Sequence, residues 1–195
     1  MAAPSERRRE AALAGHTGDE ATARRALEDP DPGTRAVALG ALARLGRLAD
    51  DHLRRALGDP APAVRSRAVE LAVGVTAVDL VPVLDDPDPF VAEQAAWALG
   101  ERSPADARAV AALAAATGEH EDPLVREAAV AALGALGHPD GLAAVLAATT
   151  DKPAVRRRAV LALAAFEGPE VDAALRRALG DRDRQVRQAA EDLLS

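Results

Sequence analysis

Apolar and polar residues follow a pattern that recurs six times along the chain, at intervals of about 30 residues. The plainest copies read DPDPGTRAVALGALARLG, DPAPAVRSRAVELAVG, DPDPFVAEQAAWALGE and DPLVREAAVAALGALG; two weaker ones read DKPAVRRRAVLALAAF and DRDRQVRQAAEDLL. The copies align on Arg35, Arg65, Ala92, Arg126, Arg156 and Arg187. Three residues later every copy has alanine, at Ala38, Ala68, Ala95, Ala129, Ala159 and Ala190. Valine precedes the aligned position at Val64, Val91, Val125, Val155 and Val186, and leucine stands seven residues after it at Leu42, Leu99, Leu133, Leu163 and Leu194. Apolar residues spaced four and eight apart share one face of an α-helix, so each copy predicts an amphipathic helix. The unvarying alanine predicts that this helix lies close against a neighbour.

Helix starts are written into the same blocks. Asp31-Pro32, Asp88-Pro89 and Asp122-Pro123 place a carboxylate at the N-cap and a proline in the first turn, where a missing N–H costs nothing and negative charge meets the positive end of the helix dipole. Gly46, Gly100 and Gly137 read as stop signals. Between these helices lie others, such as DDHLRRALGD and DAALRRALGD, whose likeness across 122 residues is a mark of duplication. The predicted unit is helix, turn, helix. A repeat of this length buries its apolar face only against its neighbours, so the predicted fold is all-α and solenoidal. Residues 1–17 hold a capping helix near 5–15, and residues 18–195 form the solenoid, with approximate repeats 18–46, 47–75, 76–102, 103–137, 138–167 and 168–195.

Composition narrows the chemistry. Of 195 residues 49% are hydrophobic, yet there are only two Phe, one Trp and no Tyr, so the core is built from Ala, Leu and Val. The absence of cysteine excludes disulfides, thiolate metal sites and a cysteine nucleophile. MAAPSERRREAALAG is too charged for a signal peptide, and no segment approaches the roughly 18 apolar residues of a membrane span, so a cytoplasmic protein is expected. The net charge of −7 conceals an asymmetry: residues 1–67 carry 12 basic and 10 acidic side chains, 68–151 carry 3 and 14, and 152–195 carry 9 and 7. So acidic a middle repels phosphate and attracts basic proteins, peptides or amines, or serves as a solvated, solubilising surface.

These blocks resemble the HEAT repeats, and among them the short bacterial subtype named after phycobilisome lyases. Its signature, D-x-x-x-x-V-R with aspartate six residues before arginine and then A-x-x-A-L-G, is carried by Asp29 with Arg35, Asp59 with Arg65 and Asp181 with Arg187, and the resemblance covers residues 18–194. It implies a right-handed α-α superhelix of about six hairpins. It also implies that Arg35, Arg65, Arg126, Arg156 and Arg187 pair with aspartates of adjacent units in a structural ladder, and that the second helices line a concave groove. Positions one, two and five after the aligned residue then face that groove.

Repetition fails in the middle. The third copy carries Pro82 inside its first helix, where a kink or early stop is expected, and Ala92 in place of the ladder arginine, which would leave Asp86 without its usual partner. In the fourth, Leu113 lies ten residues before Pro123 against five from Leu27 to Pro32, so Thr117, Gly118, Glu119, His120 and Glu121 read as an inserted turn. The groove positions there present Trp97 between Glu93 and Glu101, beside Gln94, with Glu70, Arg67 and Glu127 on neighbouring helices. An aromatic face ringed by carboxylates suits a Lys, an Arg or a quaternary amine. Packing against the next repeat is the other role open to Trp97. Arg157 and Arg158, next to the ladder residue Arg156, form a secondary basic patch.

Catalytic residues are not apparent. Family members resembling deoxyhypusine hydroxylase hold iron with His-Glu pairs on successive helices, whereas the one such pair here, His120-Glu121, falls in the inserted turn, and His16, His52 and His138 are scattered. Neither a metal nor a cofactor is expected. The expected function is non-catalytic binding of a protein or peptide, bearing basic groups, in the groove of repeats three and four. Two alternatives stand beside it: a small-ligand chaperone or lyase-like or tailoring enzyme in the same groove, and nucleic-acid binding through the arginine-rich ends.

Overall fold

The structure, a computed structural model, describes residues 3–195. The chain divides into two compact units, residues 1–80 and 81–195. The first contains α1 (Pro4–Thr17), α2 (Glu20–Ala26), α3 (Pro32–Arg44), α4 (Asp50–Leu57) and α5 (Pro62–Ala72). The second opens with a 3₁₀ turn at Val81–Asp85 and continues through α6 (Pro89–Gly100), α7 (Ala107–Glu119), α8 (Pro123–Leu136), α9 (Leu142–Ala148), α10 (Pro153–Ala162), α11 (Pro169–Ala178) and α12 (Arg184–Leu194). Strands are absent among the described residues.

Within each unit the proline-led helices pack side by side: α1 on α3 and α3 on α5, then α6 on α8, α8 on α10 and α10 on α12. The six aligned alanines are all 0% exposed, which is why nothing larger occurs at that position in any copy. The valines before the aligned position are at most 2% exposed. Neighbouring helices approach through another small pair. A Cβ placed on Gly15, Gly100 or Gly134 would stand 2.7–2.9 Å from the Cα and Cβ of Ala41, Ala132 or Ala162. Gly100, the last residue of α6, is a close-approach residue without the left-handed conformation expected of a stop, whereas Gly46 (φ +65°) and Gly137 (φ +58°) do take it.

The N-caps form as expected. Asp31 accepts from the Thr34 N–H at 2.8 Å, Asp88 from Phe90 at 3.0 Å and Asp122 from Leu124 at 2.8 Å. Pro82 lies in the first turn of the 3₁₀ segment that stands in place of the first helix of the third repeat. The insertion before Pro123 differs from expectation. Thr117, Gly118 and Glu119 extend α7 to 13 residues, and only His120 and Glu121 form the turn. Thr117 is 4% exposed and returns its hydroxyl to the Ala114 carbonyl at 2.7 Å, so the added residues continue an alanine-rich helix of high propensity.

The Asp-Arg ladder is present and begins one helix earlier than the repeats suggested, but Arg187 is not a rung: it donates Nη1 to the Asp181 carbonyl of its own repeat at 2.7 Å. Arg7 of the capping helix bonds Asp29 at 2.7 Å, Arg35 bonds Asp59, Arg126 bonds Asp151 and Arg156 bonds Asp181, each through Nε and Nη2 to the two carboxylate oxygens. A third nitrogen of each later arginine turns back to its own repeat, as when Arg35 Nη1 donates to the Asp29 carbonyl at 2.8 Å. Rungs thus run from one arginine to the next repeat's aspartate. The position facing Ala92 is accordingly 120, where histidine stands, and both halves of that rung are replaced together. His120 keeps the aspartate's local role, its Nδ1 accepting from the Asp122 N–H at 3.1 Å. Asp86 is not stranded, since it accepts from the Asp88 N–H at 2.9 Å and has further interactions.

These carboxylates make the fold acid-labile. Hydrogen bonds from Thr34 and Arg8 hold Asp31 down at about 2, and arginine partners hold Asp29, Asp151 and Asp181 below the usual range. In the unfolded chain they protonate near 3.9. The unfolded state therefore binds more protons on acidification, and the stabilisation, full above about pH 4, is lost as pH falls towards 2. Melting temperature should drop across this interval, as thermal scans by circular dichroism would show; a flat profile down to pH 2 would contradict it.

Candidate functional site

One cleft of about 590 Å³ in the second unit collects most of the residues singled out from the sequence. Glu93, Gln94, Trp97 and Glu101 of α6 and its C-cap form one wall, Leu124, Glu127, Ala128 and Ala131 of α8 the floor, and Arg158 of α10 the far side. The expected register explains the arrangement. Glu93, Gln94 and Trp97 occupy positions one, two and five after Ala92, and Glu101 lies one turn beyond Trp97 on the same stripe. Trp97 is 51% exposed, so its ring is not consumed by packing.

The cleft is open because of what stands at two positions on adjacent helices. Between α3 and α5 the fifth position is Gly40 and the second is Arg67, whose Nη2 lies 2.6 Å from where a Gly40 Cβ would be. Arg67 is held there by Glu70, 2.6 Å away, and fills the space. Between α8 and α10 the same pair is Ala131 and Arg158, which line one shallow surface together. Between α6 and α8 the order is reversed: the large residue is Trp97 on the fifth position and the second is Ala128. Ala128 is too short to cover α6, and Trp97 stays half exposed.

Arg158 differs from the ladder arginines. Its one ion pair is a long contact from Nη2 to Glu127 Oε1 at 3.4 Å, and its Nε, although buried, has no hydrogen-bond partner. Arg156, two residues before it, spends Nε, Nη1 and Nη2 on bonds of 2.8–2.9 Å. Arg157 is exposed and lies outside the cleft lining. The expected basic patch is thus separated into three environments. Glu70 and Arg67 belong to the first unit, where they pair with each other.

Three of the four histidines accept backbone N–H groups beside helix starts. His52 Nδ1 accepts from the Ala49 N–H at 3.0 Å and His138 Nδ1 from Asp140 at 3.3 Å, both beside helix starts, and His120 does the same for Asp122. Among the described residues no three His, Cys, Asp or Glu side chains gather closely enough to hold a metal ion, and no helix is long and apolar enough to cross a membrane.

Comparison with known proteins settles the family. The family of HEAT repeats matches residues 77–154 and, overlapping them, 120–195, which together are more than half of the chain. The chain is a HEAT-repeat protein. Solved structures of similar fold include human deoxyhypusine hydroxylase in complex with glycerol, at TM-score 0.52 and 24% identity over 96% of this chain and 77% of that one. They also include a designed armadillo repeat protein in complex with peptide (KR)4, at TM-score 0.61 and 18% identity over 88% and 96%. A second designed armadillo protein gives TM-score 0.56 at 18% identity over 88% and 97%. At these identities the likeness concerns the α-solenoid fold class alone. No curated protein matches the chain. Two features of this HEAT-repeat protein were not anticipated: that Arg158, expected at a groove position in a separate basic patch, lines the same cleft as Trp97, and that Arg7 is a rung. Both had a signal, in the shared second-position arginines Arg67 and Arg158 and in the Pro4-x-x-Arg7 step that precedes Arg35 by 28 residues.

Proposed function

We propose that this HEAT-repeat protein binds peptides or protein segments bearing Lys or Arg in the cleft of α6, α8 and α10, without catalysis. The observation that carries the reading is the half-exposed Trp97 standing in one cleft with Glu93, Glu101 and Glu127. A cation over an indole gains about 0.5–2 kcal/mol, and each exposed carboxylate adds about 0.2–1 kcal/mol. One basic residue therefore binds at best in about the millimolar range and commonly more weakly, and useful affinity needs several contacts along an extended segment. The acidic stretch 68–151 raises the local concentration of such ligands. A designed protein of similar fold holds a peptide of alternating Lys and Arg, which agrees with this ligand chemistry.

The test uses the protein's own reporter, since Trp97 is its single tryptophan. Titration with a (Lys-Arg)₄ peptide should change Trp97 emission and should weaken as salt rises, while a (Glu-Ser)₄ peptide should leave emission unchanged. The double variant Glu93→Gln/Glu101→Gln keeps the fluorophore and should bind about tenfold more weakly. Equal affinity of this variant and the parent would remove the proposal.

A further inference from the structure

The cleft is charged unevenly along its length, and its one cation has hydrogen-bonding capacity to spare. Glu93, Trp97 and Glu101 belong to the α6 side, Arg158 comes from α10, and α8 packs between those two helices, so the acidic and basic ends face each other across it. Arg158 is poorly served by its surroundings: a single 3.4 Å contact to Glu127 and a buried Nε with no partner. A guanidinium has five N–H donors in a planar fork, and its strongest match is a carboxylate taken by two of them. The ladder arginines are already committed in this way to aspartates. Arg158 is not, and its side chain remains 39% exposed at the cleft. Were it only a filler like Arg67, it would be expected to make a short bond such as the 2.6 Å contact to Glu70.

Resting on the basic-peptide reading above, we infer that the preferred ligand is dipolar: a Lys or Arg side chain on Trp97 between Glu93 and Glu101, and a carboxylate two or three residues onward on Arg158. A cleft of about 590 Å³ accommodates a segment of this size. The carboxylate has two sources, a free chain terminus or an internal Asp or Glu. In either case Arg158 turns from Glu127 towards the ligand, and Glu127 is released to face the ligand's cation.

Three peptides separate the possibilities: acetyl-Lys-Ala-Ala with a free C-terminal carboxylate, the same peptide as C-terminal amide, and acetyl-Lys-Ala-Glu-amide, each titrated against Trp97 emission with chemical-shift mapping for the weakest. The free acid, the Glu peptide or both should bind at least about fivefold more tightly than the amide; which of them does identifies the source of the carboxylate. In Arg158→Gln that ratio should fall to one, with the helical circular-dichroism spectrum as the control for folding. Binding of all three peptides with equal affinity overturns the dipolar inference and leaves the basic-peptide reading standing. Persistence of the ratio in Arg158→Gln overturns the role of Arg158. If no lysine peptide perturbs Trp97 while the (Lys-Arg)₄ titration also fails, both proposals fall.

Discussion

Replacing Asp181 with alanine lowers the unfolding free energy of the protein by about 3–5 kcal/mol, the range for breaking a buried ion pair by removing one partner. The reason lies with what remains. Arg156 has only 6% of its side chain exposed, and Asp181 is the acceptor for its Nε at 2.9 Å and Nη2 at 2.8 Å. Without the carboxylate two N–H groups of a charged, buried side chain lose their partners, and the Asp183 N–H loses its acceptor as well. At 2–4 °C per kcal/mol for a chain of this size, melting falls on the order of 10 °C. Two further variants separate this cause from mere loss of charge. Asp172→Ala removes an exposed i,i+4 partner of Arg176 and should cost less than about 1 kcal/mol. The double variant Arg156→Met/Asp181→Leu should recover most of the loss, because no buried charge is left unpaired. An Asp181→Ala protein within 1 kcal/mol of the parent would show the rung to be stabilising nothing.

Gly134→Ala destabilises the protein by about 1–3 kcal/mol, although the same exchange in an exposed helix interior would stabilise it by about 1 kcal/mol. The sign is decided by Ala162 of the adjacent helix. A Cβ on Gly134 would lie 2.7 Å from the Ala162 Cβ and 2.9 Å from its Cα, and a backbone atom cannot swing aside as a flexible side chain can. Gly118, in the extension of α7, has nothing within 4 Å of its would-be Cβ. Gly118→Ala should therefore stabilise by about 0.5–1 kcal/mol. Denaturant titration of the two variants reads both signs, and stabilisation by Gly134→Ala would mean that α8 and α10 do not approach as closely as described.

Much of the architecture is legible in one dimension because a repeat protein tests every position several times. An alanine found once is uninformative; at the same offset in six copies it marks a point where helices meet, and all six are fully buried. Capping is equally local: Asp31, Asp88 and Asp122 need only their own next two or three residues to do their work. Errors arose where a residue's meaning depends on another repeat. Gly100 has the composition of a stop and the function of a contact, and only Ala132, 32 residues away, distinguishes them. Residues 117–119 look like loop when counted against the other repeats, yet nothing after Ala116 breaks the helix until His120.

The candidate site divides along the same line. Glu93, Trp97 and Glu101 share a helix face by spacing alone, so their convergence is already determined by the order of residues. That the indole is exposed was not, because its fate rests on the neighbour's side chain: Ala128 leaves it open, as an arginine in the place of Arg67 or Arg158 would not. Glu70 and Arg67, in the first unit, pair with each other. The sequence by itself determined the repeat, the caps and the acidic stripe, all of which follow from intervals along one helix or one repeat. Tertiary structure alone decided which groove is filled and which is open, and that Arg158 stands at the cleft with a donor unspent. Those outcomes depend on side chains brought together from helices some 30 residues apart, where a difference of one residue's length separates a plugged surface from a cleft.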